Sequence, residues 1–173
     1  MLRVYDDILS ATECDTPVLA AFLDFSSAFD TISHDLLIEK LHLMYGIEGP
    51  ALNWIKTYLK ERTVYVKIDD KFSKGRVTTS GVPQGSVLGP LLFCLYIQEI
   101  HEIVRKHNIS YHIFADDVQL YTPLSTNHSE LQSLRLCVAD IKKWAEANSL
   151  KFNDNKTKYL QINAPNRRQI ITL

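Results

Sequence analysis

The stretch YHIFADDVQL, residues 111–120, sets Asp116 and Asp117 side by side in a run that otherwise reads as buried strand. Ile113, Phe114 and Ala115 lead into the acids, and Val118 and Leu120 follow. A carboxylate taken out of water without a partner protonates or finds a cation, because desolvating it is costly. Two readings fit. The pair makes the turn of a hairpin, a task aspartate performs well, or it belongs to a site that supplies positive charge.

A second strand-end acid bears on the choice. PVLAAFLDF (17–25) is a short apolar run closed by Asp24, and it reads as a buried strand. If the two regions are antiparallel neighbours, Asp24, Asp116 and Asp117 converge at one edge of a sheet. A cluster of hard oxygen ligands suits Mg²⁺, which leaves its other positions to water and phosphate oxygens. Two such ions about 4 Å apart stabilise the attacking and leaving oxygens of phosphoryl transfer.

Outward from these strands the elements follow from periodicity. SHDLLIEKLHLMYG carries Leu37, Leu41 and Met44 at helical spacing, with Ser33 as N-cap and Gly46 past the end. GPALNWIKTYLKER places Leu52, Ile55 and Leu59 on one face, and Pro50 suits its first turn. In TVYVKIDDKFSKGRVTTS, Val64, Val66 and Ile68 alternate with Tyr65 and Lys67, the pattern of a hairpin. GVPQGSVLGPLLFCLYIQEIHEIVRKH starts as a loop and becomes a helix, apolar on nearly all sides in its first half. Asn127 and Glu130 form a capping-box pattern ahead of Leu131, Leu134, Val138 and Ile141, and Asn148 is placed to end that helix. LKFNDNKTKYLQIN reads as a turn and a last strand. The order βααββαββαβ predicts an α+β layer of antiparallel strands covered by helices.

Composition bounds the function. The chain has 173 residues, 46% apolar and 23% charged, with net charge −1, a globular composition with no strongly basic clamp for duplex nucleic acid. Three widely spaced cysteines, Cys14, Cys94 and Cys137, without metal-ligand spacing, fit a reduced intracellular compartment. The apolar run Leu88–Ile97 is far short of the roughly 20 residues of a membrane span, and MLRVYDDILS is not a signal peptide. A single domain over residues 1–173 is expected.

Further residues have chemistry to offer. In GVPQGSVLGP (81–90), Gly81 and Gly85 permit unusual backbone angles and close approach, and Ser86 is placed to cap the following helix. Gln84 between the glycines offers an amide to a base or sugar. Phe29, in SSAFD, is either core or an aromatic beside a nucleotide, and Asp30 suits a turn hydrogen bond. Lys156, in NDNKTK, is either a solvated lysine or a group that neutralises a triphosphate or protonates departing pyrophosphate. Arg62, Lys67, Lys71, Lys74 and Arg76 surround the hairpin, a place for phosphate contact.

Taken in order, LDFSSAFDTISHDLL, GVPQGSVLGPLLF, FADD and LKFNDNKTK resemble the palm of reverse transcriptases from LINE-type, non-LTR retrotransposons, over about residues 17–163. The resemblance implies a right-handed polymerase palm with a ferredoxin-like sheet, and RNA-templated DNA synthesis with two Mg²⁺ ions, Mn²⁺ being a possible substitute. It implies that Asp24, Asp116 and Asp117 are the catalytic, metal-binding acids, and that Phe25 joins them through its backbone beside the metal and triphosphate. Phe29 is similar to the steric gate against a ribose 2′-hydroxyl. Gln84 and Gly85 match the loop that packs on the incoming nucleotide and template, and Lys156 matches a late lysine acting on pyrophosphate. The implied partners are an RNA template, a DNA primer and dNTP, with no membrane, and a nuclear location follows from the family's mode of integration.

Family enzymes carry a fingers region ahead of the first acid, a thumb and an endonuclease. Here only 23 residues precede Asp24 and the chain stops at Leu173, so a fragment with truncated fingers and no thumb is expected, with little activity in isolation. The alternatives are a catalytically inactive retrotransposon remnant, binding nucleic acid or protein at most, and another palm-like nucleotidyl transferase or cyclase. The Gln84 loop and the terminal lysine motif speak against the last.

Overall fold

The structure, a computed structural model, describes residues 2–14, 16–125, 129–163 and 167–171. In chain order its elements are α1 (Leu2–Glu13), β1 (Val18–Leu23), β2 (Phe25–Ser26), α2 (Ala28–Thr31), α3 (His34–Leu43), α4 (Gly49–Leu59), β3 (Thr63–Val64), β4 (Lys67–Ile68), β5 (Lys71–Phe72), β6 (Arg76–Val77), α5 (Gly89–Tyr96), α6 (Glu99–Lys106), β7 (Ser110–Phe114), β8 (Asp117–Pro123), α7 (Ser129–Ala147), β9 (Lys151–Phe152), β10 (Lys158–Asn163) and β11 (Arg167–Ile171). They form two units, Met1–Ser26 with Gln98–Leu173, and Ser27–Ile97.

The first unit is built on a sheet of order β11-β10-β1-β8-β7 with every neighbouring pair antiparallel. Four of its strands have the ferredoxin-like order β10-β1-β8-β7, with α6 ahead of β7 and α7 between β8 and β10. The expected α+β class with an antiparallel sheet is therefore the class observed. β1 explains its own apolar run. Val18 and Ala20, with Tyr121 of β8, are covered by Val4, Ile8 and Ala11 of α1, while the alternate residues Leu19, Ala21 and Leu23 are also buried. A strand buried on both faces has no polar side to alternate with. In α7, Leu134, Cys137, Val138, Ile141 and Ala145 form the buried stripe, and burial, then Asp140, pushes the Cys137 thiol up to about 12. Asn148 ends α7 by donating from its amide to the Trp144 carbonyl at 2.8 Å, and Ser149 takes the left-handed turn, φ 57°. Asn127 lies outside the described residues.

α1 was absent from the expected order. Val4, Ile8 and Ala11 pack on the sheet, while the remaining apolar residues, Leu2, Tyr5 and Leu9, blur the helical period, and the helix is held by tertiary contact rather than propensity. The Tyr121 hydroxyl donates to Asp7 Oδ2 at 2.6 Å. Tyr121→Phe is expected to lower unfolding free energy by about 1.5–3 kcal/mol, the scale of a hydrogen bond to a charged group, read as a lower urea midpoint at unchanged m-value.

In the second unit Ser33 accepts from the Leu36 N–H and caps α3, Gly46 (φ 62°) follows its end, and Pro50 sits in the first turn of α4. One expectation needs correction. The helix predicted from residue 88 onward is two helices, α5 and α6, broken where the pattern changes from apolar on all sides to a single apolar stripe, Ile100 and Val104. The hairpin exists as nested ladders, β3 with β6 and β4 with β5, joined by Ser73, whose hydroxyl accepts from the Val66 N–H at 3.0 Å. Val64, Tyr65, Val66, Ile68, Phe72 and Val77 on it are all more than half exposed.

Candidate active site

The register brings the strand-end acids to one edge. β1 pairs with β8 through Leu23–Val118, so Asp24 and Asp117 each stand one step past that pair on neighbouring strands. β7 and β8 close through Phe114–Asp117, leaving Ala115 and Asp116 as a two-residue turn, with Ala115 left-handed at φ 52°. The acidic pair thus does make a turn, and it does so beside Asp24.

Desolvation falls elsewhere than the sequence suggested. Asp117 is exposed, Asp116 half-buried, and Phe114 projects outward at 73% exposure. Asp24 bears the burial: its Oδ2 is shielded from solvent and has no hydrogen-bond partner among the described residues. The nearest positive charge is Lys156 Nζ at 3.8 Å, beyond hydrogen-bond length. Among the described residues no three acidic, histidine or cysteine side chains are gathered closely enough to hold a metal ion. A shielded carboxylate oxygen with no hydrogen bond and a single ammonium at 3.8 Å still fits a divalent cation, as do its hard-oxygen neighbours.

Backbone contacts fix Asp24 from a loop whose role the sequence did not announce. The Asp24 carbonyl accepts from the Asn153 N–H at 2.9 Å, and the Asp24 N–H donates to Thr157 Oγ1 at 3.4 Å. Thr157 donates its hydroxyl to the Asn153 carbonyl at 2.9 Å, and Asn153 Oδ1 accepts from the Lys156 N–H at 3.3 Å. Asn153 therefore folds the 153–157 turn on itself, and the turn carries both Lys156 and the tether to Asp24. An asparagine opening a turn is the one signal that could have revealed it. Phe25 is buried and meets Phe152 edge-on at 5.9 Å. Because Asp24 bonds Asn153, the next pair, Phe25–Phe152, is the step whose backbone groups turn away from β9. The Phe25 carbonyl is thereby left for another partner.

Phe29, Gln84 and Gly85 lie in the second unit. Phe29 is half-buried and stacks on Phe93 at 4.5 Å and 25°. Gln84 Nε2 donates to both oxygens of Asp30, at 3.2 and 3.3 Å, so the Asp30 carboxylate serves the distant Gln84 loop and not the local turn expected of it. The loop is laced to the Phe29–His34 segment: Val82 N–H donates to the Phe29 carbonyl and Gly81 N–H to that of Ile32, both at 2.8 Å. His34 Nε2 lies 2.8 Å from the Gly81 carbonyl. Gly81 is obligatory, since its φ is 87° and a Cβ there would meet the Asp30 carbonyl oxygen at 2.9 Å. Gly85 has φ 77° but open space around it. Ser86 donates to the Pro83 carbonyl and accepts from the Gly89 N–H, serving the start of α5 from outside it.

Comparison with known proteins places this geometry. The family model described as reverse transcriptase (RNA-dependent DNA polymerase) matches residues 6–169. The chain is 29% identical over 160 residues to the probable RNA-directed DNA polymerase from transposon BS of Drosophila melanogaster. It is 30% identical to that from transposon X-element and to the RNA-directed DNA polymerase from mobile element jockey, both of the same fly. About 90% of the chain is covered in each, and it spans 17% of the length of these relatives. Among solved structures, apo telomerase from Candida tropicalis aligns over 95% of this chain and 33% of its own, with TM-score 0.69 at 14% identity. A form truncated from its C-terminal domain aligns over 98% of this chain and 38% of its own, with TM-score 0.67 at 12% identity.

Proposed function

The chain belongs to the reverse transcriptase family, and from that premise we propose that it is the catalytic palm of a non-LTR retrotransposon polymerase, one domain over residues 1–173, adding dNTP to a primer 3′-hydroxyl on an RNA template. Its similarity to RNA-directed DNA polymerases of Drosophila mobile elements supports the reaction class. The observation that carries the site is Asp24: a shielded carboxylate oxygen without a hydrogen bond at a strand end, next in register to Asp117 and the Asp116 turn.

Asp24, Asp116 and Asp117, with the Phe25 carbonyl, are the groups that would hold divalent metal, Mg²⁺ or its substitute Mn²⁺. Two such cations supply Lewis acidity and counter-charge to phosphoryl transfer. Asn153 and Thr157 keep Asp24 in place through its backbone. Lys156, 69% exposed and 3.8 Å from Asp24, is free to swing toward a departing pyrophosphate and give it a proton. Phe29, braced by Phe93, rejects a ribose 2′-hydroxyl by bulk. Gln84, held by Asp30, offers its amide oxygen to the nucleotide or template, and Gly85 lets the chain approach them closely.

Primer extension on poly(rA)/oligo(dT) with Mg²⁺, run on the chain and on the longest reading frame containing it, tests the reading. The expected result is dTTP incorporation that Asp116→Ala removes. Equal signals from the wild-type and Asp116→Ala forms of the longer product would instead support the inactive remnant.

A further inference from the structure

The hairpin and the helix before it present a surface that the catalytic reading does not use. On α4, Trp54 and Tyr58 stack at 6.0 Å and 16°, and the Arg62 guanidinium lies over the Tyr58 ring at 4.6 Å. Spaced four apart, the three form one ladder along the helix and just past it, with Trp54 59% exposed. The ladder runs into the nested hairpin, where Tyr65 and Phe72 are more than half exposed. Lys67 sits 5.5 Å over the Phe72 ring. The Tyr65 ring is not loose. A Cβ on Gly75 would lie 2.8 Å from it, so the glycine lets the ring rest against backbone and keeps it pre-positioned.

Charge follows the aromatics. Residues 60–77 hold six cations, Lys60, Arg62, Lys67, Lys71, Lys74 and Arg76, against three anions, Glu61, Asp69 and Asp70, in a chain whose net charge is −1. A strand of exposed valines alone would suit a protein partner. Protein–protein interfaces are depleted in lysine, however, whereas lysines alternate with rings here. Rings offering flat faces between cations are the make-up of a single-strand platform, where bases stack and phosphates meet ammonium groups.

We propose that the Trp54–Val77 surface of the second unit docks single-stranded RNA, with Tyr65 and Phe72 stacking bases and Lys67, Lys71, Lys74 and Arg76 meeting phosphates. The choice of RNA rests on the polymerase function proposed for the chain; the platform itself does not.

The test is fluorescence anisotropy of labelled oligo(rU) with the purified chain, without dNTP or divalent metal, so that loss of the catalytic reading leaves the result standing. Wild type is expected to bind with Kd of about 10⁻⁶–10⁻⁴ M. Lys67→Ala/Lys71→Ala/Lys74→Ala should weaken binding and lower the slope of log K against log salt by about 2, at roughly 0.7 for each phosphate no longer neutralised. Tyr65→Ala and Phe72→Ala should each weaken binding at least about fivefold at unchanged slope, the signature of stacking. Removing the same charge elsewhere, Lys106→Ala/Lys143→Ala/Lys151→Ala, should leave binding within about twofold, the scale of exposed substitutions away from a site. All of these side chains are at the surface, and matching urea midpoints check that each variant is folded. The proposal is overturned if the chain does not bind oligo(rU), if the hairpin variants bind as wild type does, or if duplex DNA binds as tightly with Tyr65 and Phe72 irrelevant. Self-association abolished by the hairpin variants without RNA binding would also overturn it and mark the surface as a protein interface.

Discussion

Asp24→Asn, made in the longer reading frame that contains this chain, is expected to lower dTTP incorporation roughly 10³-fold, the scale on which a single charge-stabilising group in an active site acts, while leaving the protein folded. Asparagine keeps the shape of the side chain and removes its charge. The charge is what the site uses, because Oδ2 is shielded from water and, among the described residues, has no hydrogen bond and only Lys156 as counter-charge, at 3.8 Å. Stability should move little. Asp24 faces Lys156 at 3.8 Å, a lysine 69% exposed, and such pairs contribute at most about 1 kcal/mol. The backbone bonds to Asn153 and Thr157 do not involve the carboxyl group. Incorporation assayed beside a urea melt therefore separates a chemical role from a structural one: activity falls and the midpoint stays. Asp116→Asn should behave alike, and exposed Asp117 should matter less.

Phe93→Ala is the largest stability loss expected, about 3–5 kcal/mol for a fully buried aromatic truncated in a core. Phe93 has no measurable exposure, and its ring is the stacking partner of Phe29 at 4.5 Å. Removing that offset pair adds to the cavity cost. Equilibrium urea unfolding reads the effect. A loss below about 1 kcal/mol would mean that Phe29 and its neighbours collapse into the space, and that Phe93 does not brace the proposed gate. Leu92 and Tyr96 on the same helix are also buried.

How much of this was legible depends on which interactions are local. The apolar run of β1, the Ser33 and Pro50 signals and the stripe of α7 each carry their own instruction, and each appears where expected. The break between α5 and α6 shows only as a change in period at Ile97–Glu99, easily read through. α1 packs through Val4, Ile8 and Ala11, a spacing blurred by Tyr5 and Leu9 beside it, and is tied to Tyr121, more than a hundred residues away. The hairpin appears where alternation placed it, but alternation does not say whether a face is covered, and Val64, Val66 and Ile68 are more than half exposed. At the site, the acids and Lys156 were visible as residue types, but the burden of burial was assigned to the wrong aspartates. The flanks of Asp116 and Asp117 are apolar, yet a hairpin end opens to water; Asp24, just past a central strand, keeps one carboxylate oxygen shielded although its side chain is 34% exposed. Asn153 and Thr157 were invisible because their part is played by main-chain contacts.

Whether these acids are one metal-binding centre is tested most directly by titrating the chain with Mn²⁺ in the presence of dTTP and following the free-ion electron paramagnetic resonance signal. The expected result is manganese uptake by wild type and by Lys143→Ala, abolished in Asp24→Asn and in Asp116→Asn. Uptake that is equal in all four proteins would contradict a shared site at the β1–β8 edge.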